Sequence, residues 1–123
     1  MLFRSKLIKG DLPPVLDVEE AMGLGIETIR AGVKTWLRQI ESHYGVRPII
    51  YTNIAFYETY LGSEFDEYPL WIAHYWQQNR PRISRNWLFW QHSEDGRVNG
   101  IRSSVDFNVF QGDSSDFAGV LIR

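Results

Sequence analysis

"LPPVLDVEEAMGLGIETIRAGVKTWLRQIESHYGVRPIIYT", residues 12–52, changes its hydrophobic period twice, and those changes decide the fold. After Pro13 and Pro14 the run "VLDVE" at 15–19 reads as a strand. From Gly25 the spacing becomes helical, with Ile26, Ile29, Val33, Trp36, Leu37 and Ile40 falling on one stripe and Gly45 placed to end it. "RPIIYT" at 47–52 then returns to a strand opened by proline. A strand, a crossover helix and a second strand with short connections predict an α/β fold built on a parallel sheet.

Further along, Thr52 or Asn53 is a suitable N-cap for a short helix over 54–61. "PLWIAHY" at 69–75 and "WLFWQHS" at 87–93 are two more strands, separated by a polar, proline-broken stretch. Asp95-Gly96 and Asn99-Gly100 are turn signals, a last strand is predicted near 105–110, and one helical turn capped by Ser114 or Ser115 closes the chain. No internal repeat, low-complexity segment or interdomain linker is visible, so residues 1–123 are read as one domain.

Hydrophobic residues make up 44% and charged residues 23%, an ordinary balance that suggests neither disorder nor a membrane span. No apolar run reaches the roughly 20 residues of a spanning helix. The start "MLFRSKLIKG" is basic but has no apolar core and no small-residue cleavage site, the pattern expected of a chain that is not exported or whose leader is absent. With a formal charge of -2 there is no basic footprint for nucleic acid. With no cysteine there is neither a disulfide framework nor a thiolate metal site, and His43, His74 and His92 show no ligand spacing; no metal or cofactor is expected. Aromatic content stands out: five Trp, six Tyr and seven Phe supply core volume and also flat faces for sugar rings or bases.

Asp17 and Glu19 stand two apart in the first strand and therefore share a face with Val15, while Leu16 and Val18 face the other way. One explanation is a half-exposed strand with a solvated face. A strand followed by a crossover helix, however, belongs to a parallel sheet covered on both sides, where carboxylates sit in a barrel interior or at the strands' C-terminal mouth. At roughly 6–7 Å between Cβ atoms, the two charges oppose each other's ionisation and favour one protonated and one ionised carboxyl. That division of labour serves glycoside hydrolysis, in which an acid protonates the leaving oxygen and a second group stabilises the oxocarbenium-like centre. The spacing alone is also compatible with a metal site.

The ordered blocks "LPPVLDVE", "RPIIYT", "PLWIAHY", "WLFWQHS" and "GIRSSVDFNVFQG" resemble glycoside hydrolase family 25 from about Gly10 to Gly112. Members are lysozymes (N-acetylmuramidases) that cleave the β-1,4 bond between N-acetylmuramic acid and N-acetylglucosamine in bacterial peptidoglycan. The resemblance implies Glu19 as proton donor and Asp17 as the partner that orients the acetamido group or stabilises developing charge. It also implies Asp106 as an acidic residue of the same site. Tyr51, Trp71 and Tyr75 become a sugar-contacting wall, with Trp90 and Gln91 as further candidates. Each aromatic has an alternative role in the core, and Asp106 alone would pass for a turn or capping residue.

The family's first strand carries another aspartate that has no counterpart here, and its D-x-E strand lies near mid-domain. The resemblance therefore implies a partial (β/α) barrel, the later half, with parallel strands and fewer helices toward the C-terminus. Open edges of such a sheet predict a homo-oligomer formed by edge pairing or swapping. Two readings from other classes accompany the enzyme: a wall-binding module whose incomplete acid set does not cleave, and a silent fragment. A chitinase-like site would need D-x-x-D-x-D-x-E, which Asp11, Leu12, Pro13, Pro14 and Val15 do not match. Peptidoglycan is the expected partner, with neither nucleic acid nor membrane.

Overall fold

The computed structural model describes residues 10–75, 80–96, 105–112 and 114–122; for 94–96, 105–107, 114, 115 and 118 only the backbone is considered. Strand β1 (Val15–Asp17) leads into helix α1 (Ile26–Tyr44), followed by β2 (Ile49–Asn53). A short helix α2 (Ile54–Phe56) runs into a π-helical turn (Tyr57–Leu61) and a 3-10 turn (Gly62–Phe65). Strands β3 (Leu70–Ala73), β4 (Phe89–Gly96) and β5 (Val105–Phe110) complete the sheet, and α3 (Ser114–Val120) follows.

The five strands lie in sequence order. β1 through β4 are parallel, as the β-α-β pattern requires, whereas β5 runs antiparallel to β4. The parallel strands that the resemblance implied are β1 to β4. The predicted turn signal Asp95-Gly96 falls at the end of β4, and residues 97–104, which join it to the reversed β5, lie outside the described residues. The other turn signal, Asn99-Gly100, lies outside them.

Helix α1 forms where its period is helical. Ile29, Val33, Trp36, Leu37 and Ile40 make the buried stripe, and Gly45 ends the helix in the left-handed conformation at φ 70°, its N–H donating to the Glu41 carbonyl at 2.8 Å. That stripe merges with Leu16, Ile50, Leu70, Ile72 and Trp90 on one face of the sheet into a single core. Each aliphatic side chain so buried contributes about 1.5–3 kcal/mol. Asn53 caps α2, its Oδ1 accepting from the Phe56 N–H at 2.8 Å, a contact worth about 1 kcal/mol. The predicted single helix over 54–61 instead widens and then tightens. Arg30 donates to the Tyr60 carbonyl at 2.6 Å, and Tyr57, Leu61 and Phe65 all face the core.

Arg85 fastens the segment before β3. Its guanidinium donates to the carbonyls of Tyr68 at 2.6 Å, Asp66 at 3.3 Å and Phe65 at 3.4 Å. At the bottom of the sheet, Gly10 donates to the Ile122 carbonyl at 2.6 Å and Ile122 donates to that of Asp11 at 2.8 Å. The segment leading into β1 is thereby clasped to the segment that follows α3.

Candidate active site

The sheet register draws one row of side chains across all five strands. Asp17 pairs with Tyr51, Tyr51 with Trp71, Trp71 with Phe89, and Phe89 with Phe110. Residues in such a row share a face, and it is the face opposite the α1 core, because Leu16, Ile50, Leu70 and Ile72 alternate with them and are buried there. β1 formally ends at Asp17, yet the ladder continues one step: the Val18 N–H donates to the Tyr51 carbonyl at 3.0 Å. Asp17 and Glu19 are both exposed at this C-terminal mouth of β1.

Tyr51 is the meeting point. Its hydroxyl donates to Gln91 Oε1, to which the Tyr75 hydroxyl also donates at 3.3 Å. Gln91 is buried, 5% exposed, although polar. Burial is the main reason the Tyr51 phenol ionises well above its ordinary value; neighbouring Tyr75, the charge of Glu19, a hydrogen bond with Tyr75 and the charge of Asp17 add to it in that order. Asp17, paired with Tyr51 in the register, shares its face of the sheet, and Glu19 lies two residues on, just past the strand's end.

Trp71 extends the wall. It meets Tyr51 edge-on, with ring centroids 5.3 Å apart at 84°, and lies 5.3 Å from Phe89 on its other side. Its Nε1 donates to Asn108 Oδ1 of β5 at 2.7 Å, which fixes the indole's direction. The result is a partly exposed aromatic surface beside two acids, a combination of apolar face and charge suited to a sugar ring with its hydroxyls.

The structure thus brings Asp17, Glu19, Tyr51, Trp71, Tyr75 and Gln91 together. Trp90 stands apart: next to Gln91 on β4, it turns to the opposite face, 5% exposed in the core, and its Nε1 donates to the His74 carbonyl at 2.9 Å. Asp106 lies on β5, with its side chain outside the described residues. Asn108 and Phe89 were not among the residues singled out from sequence. Asn108 stands two after Asp106 in "VDFN", the same alternation as in D-x-E, and that spacing was the available signal. Among the described residues no group of three His, Asp or Glu is placed to hold a metal ion, and no helix is long and apolar enough to cross a membrane.

The family model for glycosyl hydrolases family 25 matches residues 3–101. The chain is 46% identical over 111 residues to the uncharacterized protein YegX of Escherichia coli O6:H1, covering 90% of this chain and 41% of that protein. It is 34% identical over 118 residues to Lysozyme M1 of Streptomyces globisporus, covering 85% and 39%. Among solved structures it is similar to a family 25 glycosyl hydrolase from Bacillus anthracis, with TM-score 0.78, 27% identity, and coverage of 88% of this chain and 54% of that one. A bacterial lysozyme from Streptomyces coelicolor gives TM-score 0.76 and 28% identity, with 89% and 56% covered. The chain spans about two fifths of the length of these curated relatives and just over half of the solved chains. A match over most of the sequence, joined to a mixed sheet that presents an acid pair beside an aromatic row, establishes that this chain belongs to glycosyl hydrolases family 25.

Proposed function

We propose that this chain carries the acid pair and sugar wall of a muramidase, which hydrolyses the β-1,4 bond between N-acetylmuramic acid and N-acetylglucosamine in bacterial peptidoglycan. The observation that supports this most is the pairing of Asp17 with Tyr51 in the sheet register, with the partly exposed Trp71 next in the same row. In this reading Glu19 gives its proton to the glycosidic oxygen as the bond from that oxygen to the sugar's anomeric carbon breaks. Asp17 faces the positive charge that develops on the ring or holds the acetamido group, and water supplies the hydroxyl of the new reducing end while its other proton returns to the Glu19 carboxylate. The family resemblance adds Asp106, on β5, as a third acid of the same site.

Purified peptidoglycan incubated with the chain, followed by identification of the reducing-end sugar, tests the proposal. New reducing ends on N-acetylmuramic acid are expected, and Glu19→Gln abolishes their release while still sedimenting with the wall. Reducing ends on N-acetylglucosamine, or equal release by the Gln variant, would overturn it. A second reading, a wall-binding module that does not cleave, rests on the partly exposed aromatic row of Tyr51, Trp71 and Phe89, which can hold a glycan without the acids. For that reading, neither wild type nor Glu19→Gln clears the wall and both bind it.

A further inference from the structure

Gln91 is the one fully buried polar residue on the face that carries the acid pair, among the described residues. At 5% exposure its side chain has little surface to offer a ligand, so its contribution must pass through what it touches. It touches two phenols. The Tyr51 and Tyr75 hydroxyls both donate to its Oε1. Each phenol has a single proton, and a side-chain carbonyl has two lone pairs, so the one amide oxygen can take both.

We propose that Gln91 is a positioning residue that takes up the hydroxyl protons of Tyr51 and Tyr75, so that both phenol oxygens turn lone pairs rather than protons toward the cleft beside Asp17 and Glu19. That corner then consists of acceptors: two phenol oxygens and two carboxylates. It selects for a ligand edge that donates, such as sugar hydroxyls or an amide N–H, and against one that presents only carbonyl or ether oxygens. A protonated Glu19 is the one donor in the set, and the glycosidic oxygen is the acceptor it is left to meet. The assignment deepens the muramidase reading and rests on it for the identity of the ligand, but the proton arrangement is testable without any ligand.

The first measurement is the alkaline absorbance titration of tyrosine in wild type, Gln91→Met, and the same pair in a Tyr51→Phe background. Met keeps the volume of Gln, so hydration of the neighbourhood changes little. Loss of an acceptor that holds the neutral phenols should let tyrosine ionise at lower pH in Gln91→Met, with a smaller change in the Tyr51→Phe background, where Tyr75 alone loses its acceptor. An unchanged titration, or a move to higher pH, would mean that the amide turns its NH2 group to the phenols and would overturn the assignment.

The second is calorimetric binding of an N-acetylglucosamine tetramer. Gln91→Met should weaken binding about 10-fold in the wild-type background and less than about 2-fold when Tyr51 and Tyr75 are both Phe, the non-additivity of groups that act as a unit. Equal losses in both backgrounds would make Gln91 a direct sugar ligand and overturn the positioning role. Absence of binding by every form, with the alkaline change intact, would overturn the glycan reading of the cleft while supporting the proton assignment.

Discussion

Asp17 stands directly across the ladder from Tyr51, and the Val18 N–H bonded to the Tyr51 carbonyl at 3.0 Å holds that pairing at the point where β1 ends. An acid and a phenol fixed side by side influence each other's protons. Burial first, then Tyr75 and the charges of Glu19 and Asp17, keep the phenol neutral far into the alkaline range. Tyr51 therefore does not titrate where a glycosidase works.

A pH profile of turnover follows. With Glu19 as donor, the rate should have an acidic to near-neutral optimum and fall as the pH rises and the donor is lost. Tyr51→Phe should lower the rate without altering the general form of that falling limb. Release of reducing sugar measured across pH in both proteins checks this, and a rate that climbs into the alkaline range contradicts it.

Trp71 is aimed by Asn108. Because the 2.7 Å bond is the indole N–H's link to β5, Asn108→Leu should leave the ring turning between positions, and binding of an N-acetylglucosamine oligosaccharide should weaken by about 3- to 10-fold, the effect of one hydrogen bond. Calorimetry measures the affinity, and near-ultraviolet circular dichroism should report loss of the fixed indole environment. Unchanged affinity together with an altered spectrum would remove Trp71 from the sugar wall.

Thr52 offers a stability gain. It is fully buried on the core side of β2, and among the described residues its Oγ1 has no hydrogen-bond partner. A buried hydroxyl without a partner costs about 1–3 kcal/mol. Thr52→Val keeps the shape and the β-branching that suit a strand, so unfolding in urea should show about 1 kcal/mol of added stability. A loss of stability would mean that the hydroxyl has a partner.

His74 gives a pH-dependent term in stability. Its pKa is lowered from 6.5 by burial and by the charge of Arg82, against a smaller opposing effect of Glu58. The geometry agrees, since Nδ1 accepts the Arg82 backbone N–H at 3.0 Å and must be unprotonated to do so. The unfolded chain thus binds more protons near pH 6 than the folded one, and stability rises with pH in that interval. This contribution is complete above 6.5 and is lost as the pH falls toward the folded value. Urea midpoints from pH 5 to 7.5 should decline on acidification in wild type and show a flatter course in His74→Asn.

Much of the fold was legible because its signals are periodic. The stripe of α1 and its Gly45 stop, the strand over 105–110 and the Asn53 cap all follow from local rules that tertiary contacts did not override. The segment after Asn53 was less legible, since its winding depends on Arg30, distant in sequence, taking the Tyr60 carbonyl. The reversal of β5 is set by a connection that local pattern alone did not fix. In the site, alternation put Asp17 and Glu19 on one face and the family resemblance added Tyr51 and Trp71, but only the register sets Asp17, Tyr51 and Trp71 in one row. Alternation also separates Trp90 from Gln91, since adjacent strand residues face opposite ways, and the core took the Trp. The hydrogen bonds that join Tyr51 and Tyr75 to Gln91 depend on side-chain reach across strands, which no spacing in one strand reveals.

The clasp between Ile122 and the Gly10–Asp11 pair bears on the order of assembly. Its two bonds join the segments farthest apart along the described chain, and so close its largest loop, the step that entropy delays most. The run-in to β1 therefore stays unfastened until the segment after α3 is in place, while β1 itself, Asp17 included, is held earlier by its pairing with β2.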